Sequence, residues 1–285
     1  MNICINDKPA DITLDTEKTL GDVLSGIEQW ISPSGNRIQS ISVNGQTLNE
    51  DTLPGEFGRN IKDIKKLDIA VSSFRELSSE ALGVLLETCS LYGNAAFDER
   101  PNIVNDWENS AAARFLRTEI SDLYDLAGRS FRGEGLSAQN LSIIIEERLR
   151  EILAPAREID SCEAMVKTIA TRMEELPLDI QTGKDQRAAE TIQHFSSVGE
   201  KLFRIFLILK SEGLSLDTFV IDGLPARSFI EEFNAALSEL SAAYENRDTV
   251  LVGDLSEYEL APRLTKFFAA LKNTSEMPPP SVSVP

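Results

Sequence analysis

The stretch Asp254-Leu255-Ser256-Glu257-Tyr258-Glu259-Leu260-Ala261-Pro262 sets three carboxylates around one tyrosine. Carboxylates and a phenol grouped in this way can make charge-assisted hydrogen bonds to a basic or hydroxyl-bearing partner. Asp254, Glu257, Tyr258 and Glu259 are therefore the candidate partner-binding residues. The plainer role for the same text is a packing corner. Ser256 and Glu259 also fit a capping box, which requires a helix to begin there.

The remaining chemistry-bearing residues do not assemble into a motif. His194 is the single histidine, which leaves no multi-histidine metal site and none of the usual zinc enzymes. The pairs Glu146-Glu147 and Glu174-Glu175 lack the Glu-x-x-His partners of di-iron bundles. A serine or cysteine nucleophile would need His194 as its base, and no G-x-S-x-G elbow is present. Gly183-Lys184 lacks the upstream glycine and the following hydroxyl of a phosphate loop. Gly133-Glu134-Gly135 lacks a third glycine and a preceding strand. The sequence assigns no catalytic residue, no metal ligand and no cofactor, and the expectation is that the chain is not an enzyme.

The chain has 285 residues, 42% hydrophobic and 26% charged, which is ordinary globular composition. Aromatics are 7%, so the core is built mainly of aliphatic residues, which suits helices. Of the 28 basic and 46 acidic residues, 8 and 11 fall in 1–75, leaving 20 and 35 beyond, a net of −15. A nucleic-acid binder needs a basic footprint, and an anionic membrane surface would repel this chain. The acidity serves solubility, or it receives a basic or helical protein partner. Cys4, Cys89 and Cys162 lie far apart with no C-x-x-C pair, which fits a reducing, cytoplasmic compartment. The N-terminal residues do not read as a signal peptide. The most apolar run, Phe203 to Leu209, is interrupted by Arg204 and is too short to span a bilayer.

The first seventy-odd residues carry strand and helix signals in a definite order. Met1, Ile3 and Ile5 alternate with Asn2, Cys4 and Asn6, a half-buried strand. Asp7 to Ala10 reads as a turn, and Ile12 and Leu14 alternate in a second strand. Thr19 caps a helix bearing Leu20, Val23, Leu24, Ile27 and Ile31, stopped by Pro33 and Gly35. Ile41 and Val43 alternate before Asn44-Gly45, the strongest short hairpin signal, and Gln46-Thr47-Leu48 returns. Leu67, Ile69 and Val71 form a last strand.

This order, with its spacing and the Val43-Asn44-Gly45-Gln46 corner, resembles the ubiquitin-like β-grasp over residues 1–73. The resemblance implies a fold and no activity. In conjugated ubiquitin-like proteins and sulfur carriers the last strand leads to a free Gly-Gly terminus. Here it runs into Ser72-Ser73-Phe74-Arg75 and the chain continues, so carboxyl-terminal activation is not implied. A docking or packing module is.

From Phe74 the period changes to 3.6. One helix carries Leu82, Leu85, Leu86 and Cys89, with a break at Gly93 to Pro101. Another carries Phe115, Leu116, Ile120, Leu123 and Ala127 as far as Gly133. Ser137 caps a third, bearing Leu141, Ile144, Ile145, Leu149 and Ile152, which Pro155 breaks. Ile159, Cys162, Val166, Ile169, Met173 and Leu176 fall at spacings of three and four, an a/d stripe. Pro177 and Thr182-Gly183 are expected to turn the chain. The helix after it ends in the run Leu202 to Leu209, apolar almost all round, which suits the centre of a bundle or a partner-binding helix. Gly213 to Gly223 is a linker with a short extended piece near Val220. Phe229 to Tyr244 lie on a helix. Thr249 to Gly253 also reads as a strand, but a helix over 249–262 is preferred because it places Leu251, Leu255, Tyr258 and Pro262 on one face. The helical period then continues to Lys272.

The expected class is α+β: a β-grasp domain over 1–73, a bundle of about seven helices over 74–273, and a disordered Pro/Ser-rich tail over 274–285. The expected function is a non-enzymatic adaptor or scaffold offering a sheet edge and an acidic helical surface. The alternative is an acidic helical chaperone, similar in general character to the export chaperones of bacterial secretion and flagellar systems. The third is an enzyme whose site has no recognisable motif.

Overall fold

A computed structural model describes residues 1–49, 52–215 and 218–275. The chain is α+β: a small mixed sheet comes first and a long helical region follows. It divides into two compact units, Met1–Glu146 with Ser211–Gly213, and Glu147–Lys210 with Leu214 onward. Secondary structure changes character at 73–74, whereas compactness divides at 146. The sheet therefore shares its unit with the first helices.

Five strands, β1 (Asn2–Ile5), β2 (Lys8–Pro9), β3 (Asn36–Val43), β4 (Gln46–Leu48) and β5 (Lys66–Ser73), lie in the order β2-β1-β5-β3-β4. β1 and β5 run parallel, with Ile3 opposite Leu67 and Ile5 opposite Ile69. The other neighbours are antiparallel, with a register shift between Ile38 and Ser40. Helix α1 (Leu20–Ile31) buries Leu20, Val23, Leu24, Ile27 and Ile31 in one core with Ile3, Ile41, Val43, Ile64, Leu67 and Ile69. Thr19 starts it with a capping box: its hydroxyl accepts from the Asp22 N–H, and the Asp22 carboxylate accepts from the Thr19 N–H.

The second strand differs from the expectation. Asn6 and Asp7 adopt φ of 49° and 63°, so the chain reverses two residues earlier than Pro9 suggests. Only Lys8 and Pro9 pair with β1. Ile12 and Leu14 do pack on the sheet core, which explains their alternation, but they form no ladder. Beyond the end of β1 the Asn6 side chain stands in for a strand. Its Oδ1 accepts from the Val71 N–H at 2.8 Å and its Nδ2 donates to the Val71 carbonyl at 3.0 Å.

Asn44 plays a similar part at the hairpin. Asn44 and Gly45 have φ of 52° and 84°, the primed turn that matches the twist of paired strands. The Asn44 Oδ1 also accepts from the N–H groups of Lys65 and Lys66 at 2.8 and 3.0 Å, tying the turn to the start of β5.

A short helix, α2 (Leu53–Glu56), lies in the long connection before β5. Ser73 both ends β5 and caps α3 (Phe74–Asn94), in a second capping box with Glu76. Strand passes into helix with no linker. Bonds from the Ser73 backbone N–H and hydroxyl hold the Glu76 carboxyl below its ordinary value. The Phe74 ring lies 6.1 Å from Phe115, and Arg37 of β3 sits over Phe74 while pairing with Glu119.

The helical region is more finely divided than the periodicity predicts. After α3 come α4 (Arg100–Glu108), α5 (Ala111–Glu119) and α6 (Ser121–Phe131). The break expected over Gly93 to Pro101 is confined to 95–99, because Pro101 occupies the first turn of α4, where its missing N–H costs nothing. The single helix expected around Ile120 is two, since Ile120 takes φ −138° and ψ 57°. Helix α7 (Ala138–Leu153) starts where Ser137 accepts from the Asn140 N–H.

In the second unit, α8 (Pro155–Gln181) buries its whole predicted stripe of Ile159, Cys162, Val166, Ile169, Met173 and Leu176. Pro177 does not turn the chain; it lies inside α8. An interior proline costs about 3 kcal/mol, and here its ring packs on Gly253 while Leu176 remains buried. Helix α9 (Asp185–Ser211) buries Leu202, Ile205, Phe206 and Ile208, while Leu207 of the same run is exposed, so the run is buried on one side and not all round. A two-stranded ribbon, β6 (Val220–Ile221) and β7 (Leu224–Pro225), leads to α10 (Ala226–Glu245). Then α11 (Thr249–Asp254), a π-helical segment Leu255–Leu260 and α12 (Ala261–Ser275) run as one continuous helical stretch. Thr274 and Ser275 close α12, and the rest of the expected tail lies outside the described residues.

Among the described residues of this unit the two buried carboxylates, Glu151 and Asp179, are both ion-paired, Asp179 with Lys184 and Arg187. Glu151 is 1% exposed and takes both nitrogens of Arg204, Nε at 3.0 Å and Nη2 at 2.7 Å. Lys201 donates to Glu147 and to Glu158, each at 2.9 Å. Burial alone would raise Glu147, but the Lys201 hydrogen bond and charge outweigh it and its carboxyl titrates below the ordinary value.

Two outcomes follow from these contacts, both read by urea unfolding. Asn44→Ala should cost about 2 kcal/mol, combining lost hydrogen bonds with left-handed strain, and Asn44→Gly about 1 kcal/mol. Equal losses would mean that the turn conformation carries no strain. Glu151→Ala, which strands the Arg204 charge, should cost about 3 kcal/mol, while Glu151→Leu with Arg204→Met should cost less. A double variant weaker than the single would refute a stranded charge as the cause.

Candidate functional site

The acidic segment singled out in the sequence sits on the π-helical turn. A π turn takes an extra residue per hydrogen-bonded ring, so the face expected to hold Leu251, Leu255, Tyr258 and Pro262 is broken. Leu255 is buried, whereas Tyr258 is 66% exposed. Ser256 is no N-cap: it is buried mid-helix, and its hydroxyl donates to the Gly253 carbonyl at 3.0 Å. Glu259 is half-exposed and paired, accepting from Arg263 Nη2 at 2.7 Å, and Arg263 also reaches Glu232 at 2.9 Å. The neighbouring Glu257 carboxylate pushes the Tyr258 phenol above its ordinary value. Asp254, Glu257 and Tyr258 are thus brought together at the surface, and Glu259 is engaged by Arg263 in a half-exposed ion pair.

His194 is exposed on α9 beside buried Phe195. All three cysteines are free and buried. Burial pushes the Cys89 thiol up to about 11 and raises Cys162 as well, so both are held protonated. Among the described residues no group of three or more His, Cys, Asp or Glu side chains is placed to hold a metal ion, and no helix is long and apolar enough to cross a membrane.

The first unit contains a cleft that sequence reading did not find. It has a volume of about 570 Å³ and lies among α3, α4, the turn joining them and the end of α6. Its floor is aromatic, made by Tyr92 and Phe131. Behind them Trp107 of α4 is 3% exposed, with Tyr124 5.4 Å away and Phe131 5.5 Å away, both on α6. Tyr92 of α3 lies 5.1 Å from Phe131 and donates its hydroxyl to the Phe131 carbonyl at 2.8 Å. Such ring pairs fix the helices by area and by edge and face geometry.

The rim is of two kinds. Phe97, in the turn before α4, is 87% exposed, with Pro101 and Val104 beside it in the cleft wall. Two arginines face the same space. Arg132 is paired with Glu134 through two contacts of 3.2 Å. Arg100 stacks on the Tyr92 ring, 5.0 Å from its centroid, and its Nε–H is buried with no hydrogen-bond partner. A cation over an aromatic face is stabilised there and partly stripped of water. The signal available in the sequence was the spacing of Ile103 and Trp107 after Arg100-Pro101, an amphipathic start with proline in the first turn.

A second cleft, of about 490 Å³, lies beside β6 and α12. Its lining charges, Lys266 and Asp222, satisfy each other at 2.6 Å.

Comparison with known proteins finds likeness in two segments. Residues 1–73 match the family model described as the TP0873 N-terminal domain, and residues 157–269 match a domain of unknown function, DUF8042. Over 264 residues the chain is 23% identical to an uncharacterized protein of Treponema pallidum (strain Nichols), a match covering 92% of each chain. No solved structure matches the chain. The aromatic cleft falls between the two segments matched by family models, and the acidic π-helical turn falls within the second.

Proposed function

We propose that this chain is a non-enzymatic protein-interaction protein of the cytoplasm, an adaptor with one contact surface on each compact unit. The observation that carries the reading is Phe97. A phenylalanine 87% exposed, at the mouth of an aromatic-floored cleft, is a large apolar surface left in water. Burying it in a partner would recover about 2 kcal/mol. Rings of this kind, next to arginine, are what binding hot spots are made of. On the second unit Asp254, Glu257 and Tyr258 are offered as the surface for a basic segment.

The N-terminal sheet is read as a ubiquitin-like β-grasp used as a scaffold. That reading is supported by the strand order β2-β1-β5-β3-β4, the parallel β1–β5 pair at its centre and the packing of α1 on one face. The cytoplasmic placement is supported by three free, buried cysteines.

The test is co-purification with the tagged full chain from its own cells, with and without Phe97→Ser. A stoichiometric protein partner should accompany the native chain and be depleted about tenfold or more by the substitution. Capture of the same partners by both forms, or of none by the native form, would overturn the reading.

A further inference from the structure

We infer that the cleft under Phe97 takes a protein segment presenting a carboxylate beside a bulky apolar side chain, with Arg100 receiving the carboxylate. This rests on the reading of the cleft as a protein-binding site and adds the chemistry of what enters it.

The argument begins with charge. The chain carries 46 acidic against 28 basic residues, and several of its half-buried arginines are matched. Arg204 has Glu151, Arg263 has Glu259 and Glu232, Arg59 has Glu56 and Arg75 has Glu212. Arg100 is different. Among the described residues no carboxylate pairs with its guanidinium, its Nε–H is buried without a hydrogen-bond partner, and the guanidinium lies over the Tyr92 face. A buried donor without a partner costs about 1–3 kcal/mol, more when charged. That cost is relieved when an anion arrives, and a guanidinium offers carboxylates a planar fork.

The rest of the cleft sets direction and size. Arg132 is neutralised by Glu134, and Glu108 lines the same space, so an incoming carboxylate is favoured at Arg100 and repelled at Glu108. Phe97, Pro101 and Val104 form the apolar wall for the neighbouring side chain. The occupant is a chain segment and not a free metabolite, because Phe97 projects from the rim. A molecule that merely filled the cleft would leave that ring in water, whereas a segment passing over the rim would cover it.

The test uses the full chain and an immobilised library of twelve-residue peptides. In the library Asp or Glu is placed one to four positions from Leu, Ile, Met, Phe, Tyr or Trp, each peptide alongside its Asn or Gln counterpart. Retained peptides should be acidic–apolar pairs, and replacing the acid by its amide should weaken binding about tenfold or more. Arg100→Gln should abolish the preference for the acid, and Arg100→Lys should restore part of it. Phe97→Ser should weaken acidic and amide peptides alike. Circular dichroism establishes that each variant is folded, and the acid-to-amide comparison on the native chain needs no variant. Peptides held through Phe97 with no preference for the acid would overturn the role of Arg100 and leave the interaction reading standing. Retention indifferent to Phe97→Ser would overturn that reading itself, and an empty library would overturn both.

Discussion

Burial of the Trp107 ring governs the first unit's helices. At 3% exposure, set between Tyr124 and Phe131, it fixes α4 against α6, and the Tyr92–Phe131 contact fixes α3 to the same point. Three helices pinned at one aromatic cluster leave only the five residues 95–99 to join α3 to α4. That short turn cannot fold back onto the core, so Phe97 is carried outward. Arg100, about two turns before Trp107 on α4, is laid across Tyr92 by the same constraint. The exposed ring and the unmatched cation are two consequences of one packing requirement.

Charge balance is the second organising constraint. A chain with an excess of carboxylates must neutralise those that its helices bury. Glu151 with Arg204, and Glu147 and Glu158 with Lys201, do so where α7, α8 and α9 meet. The sheet solves a related problem with neutral groups. Asn6 and Asn44 supply side-chain amides where backbone partners run out, closing β5 at both ends. Against this economy of matched groups Arg100 stands apart.

Much of the fold was legible because it is local. Thr19 before Leu20, Val23, Leu24 and Ile27 specifies a capped helix, Asn44-Gly45 specifies the primed hairpin, and the stripe from Ile159 to Leu176 specifies a buried face. Each is written in neighbouring residues. What failed was set by distant contacts. Pro177 reads as a turn, yet packing against Gly253 and the burial of its own stripe carry α8 through it. A regular helix would put Leu255 and Tyr258 on one face, and the π turn separates them, Leu255 buried and Tyr258 exposed. Ile12 and Leu14 alternate as strand residues do, yet they pack on the core without pairing. The acidic segment was visible as text, although the loss of Glu259 to Arg263 was not. The cleft was invisible, because Tyr92, Arg100 and Phe131 are brought together only by tertiary packing of three helices.

The most direct measurement is the side-chain Nε–H resonance of Arg100 in ¹H–¹⁵N spectra of the full chain, assigned by its loss in Arg100→Lys. Addition of a glutamate-leucine peptide from the acidic set should shift that resonance markedly downfield, as a charge-assisted hydrogen bond forms at the guanidinium, and its glutamine counterpart should not. Equal shifts with both peptides, or a response confined to residues away from α4, would contradict a carboxylate-binding cleft.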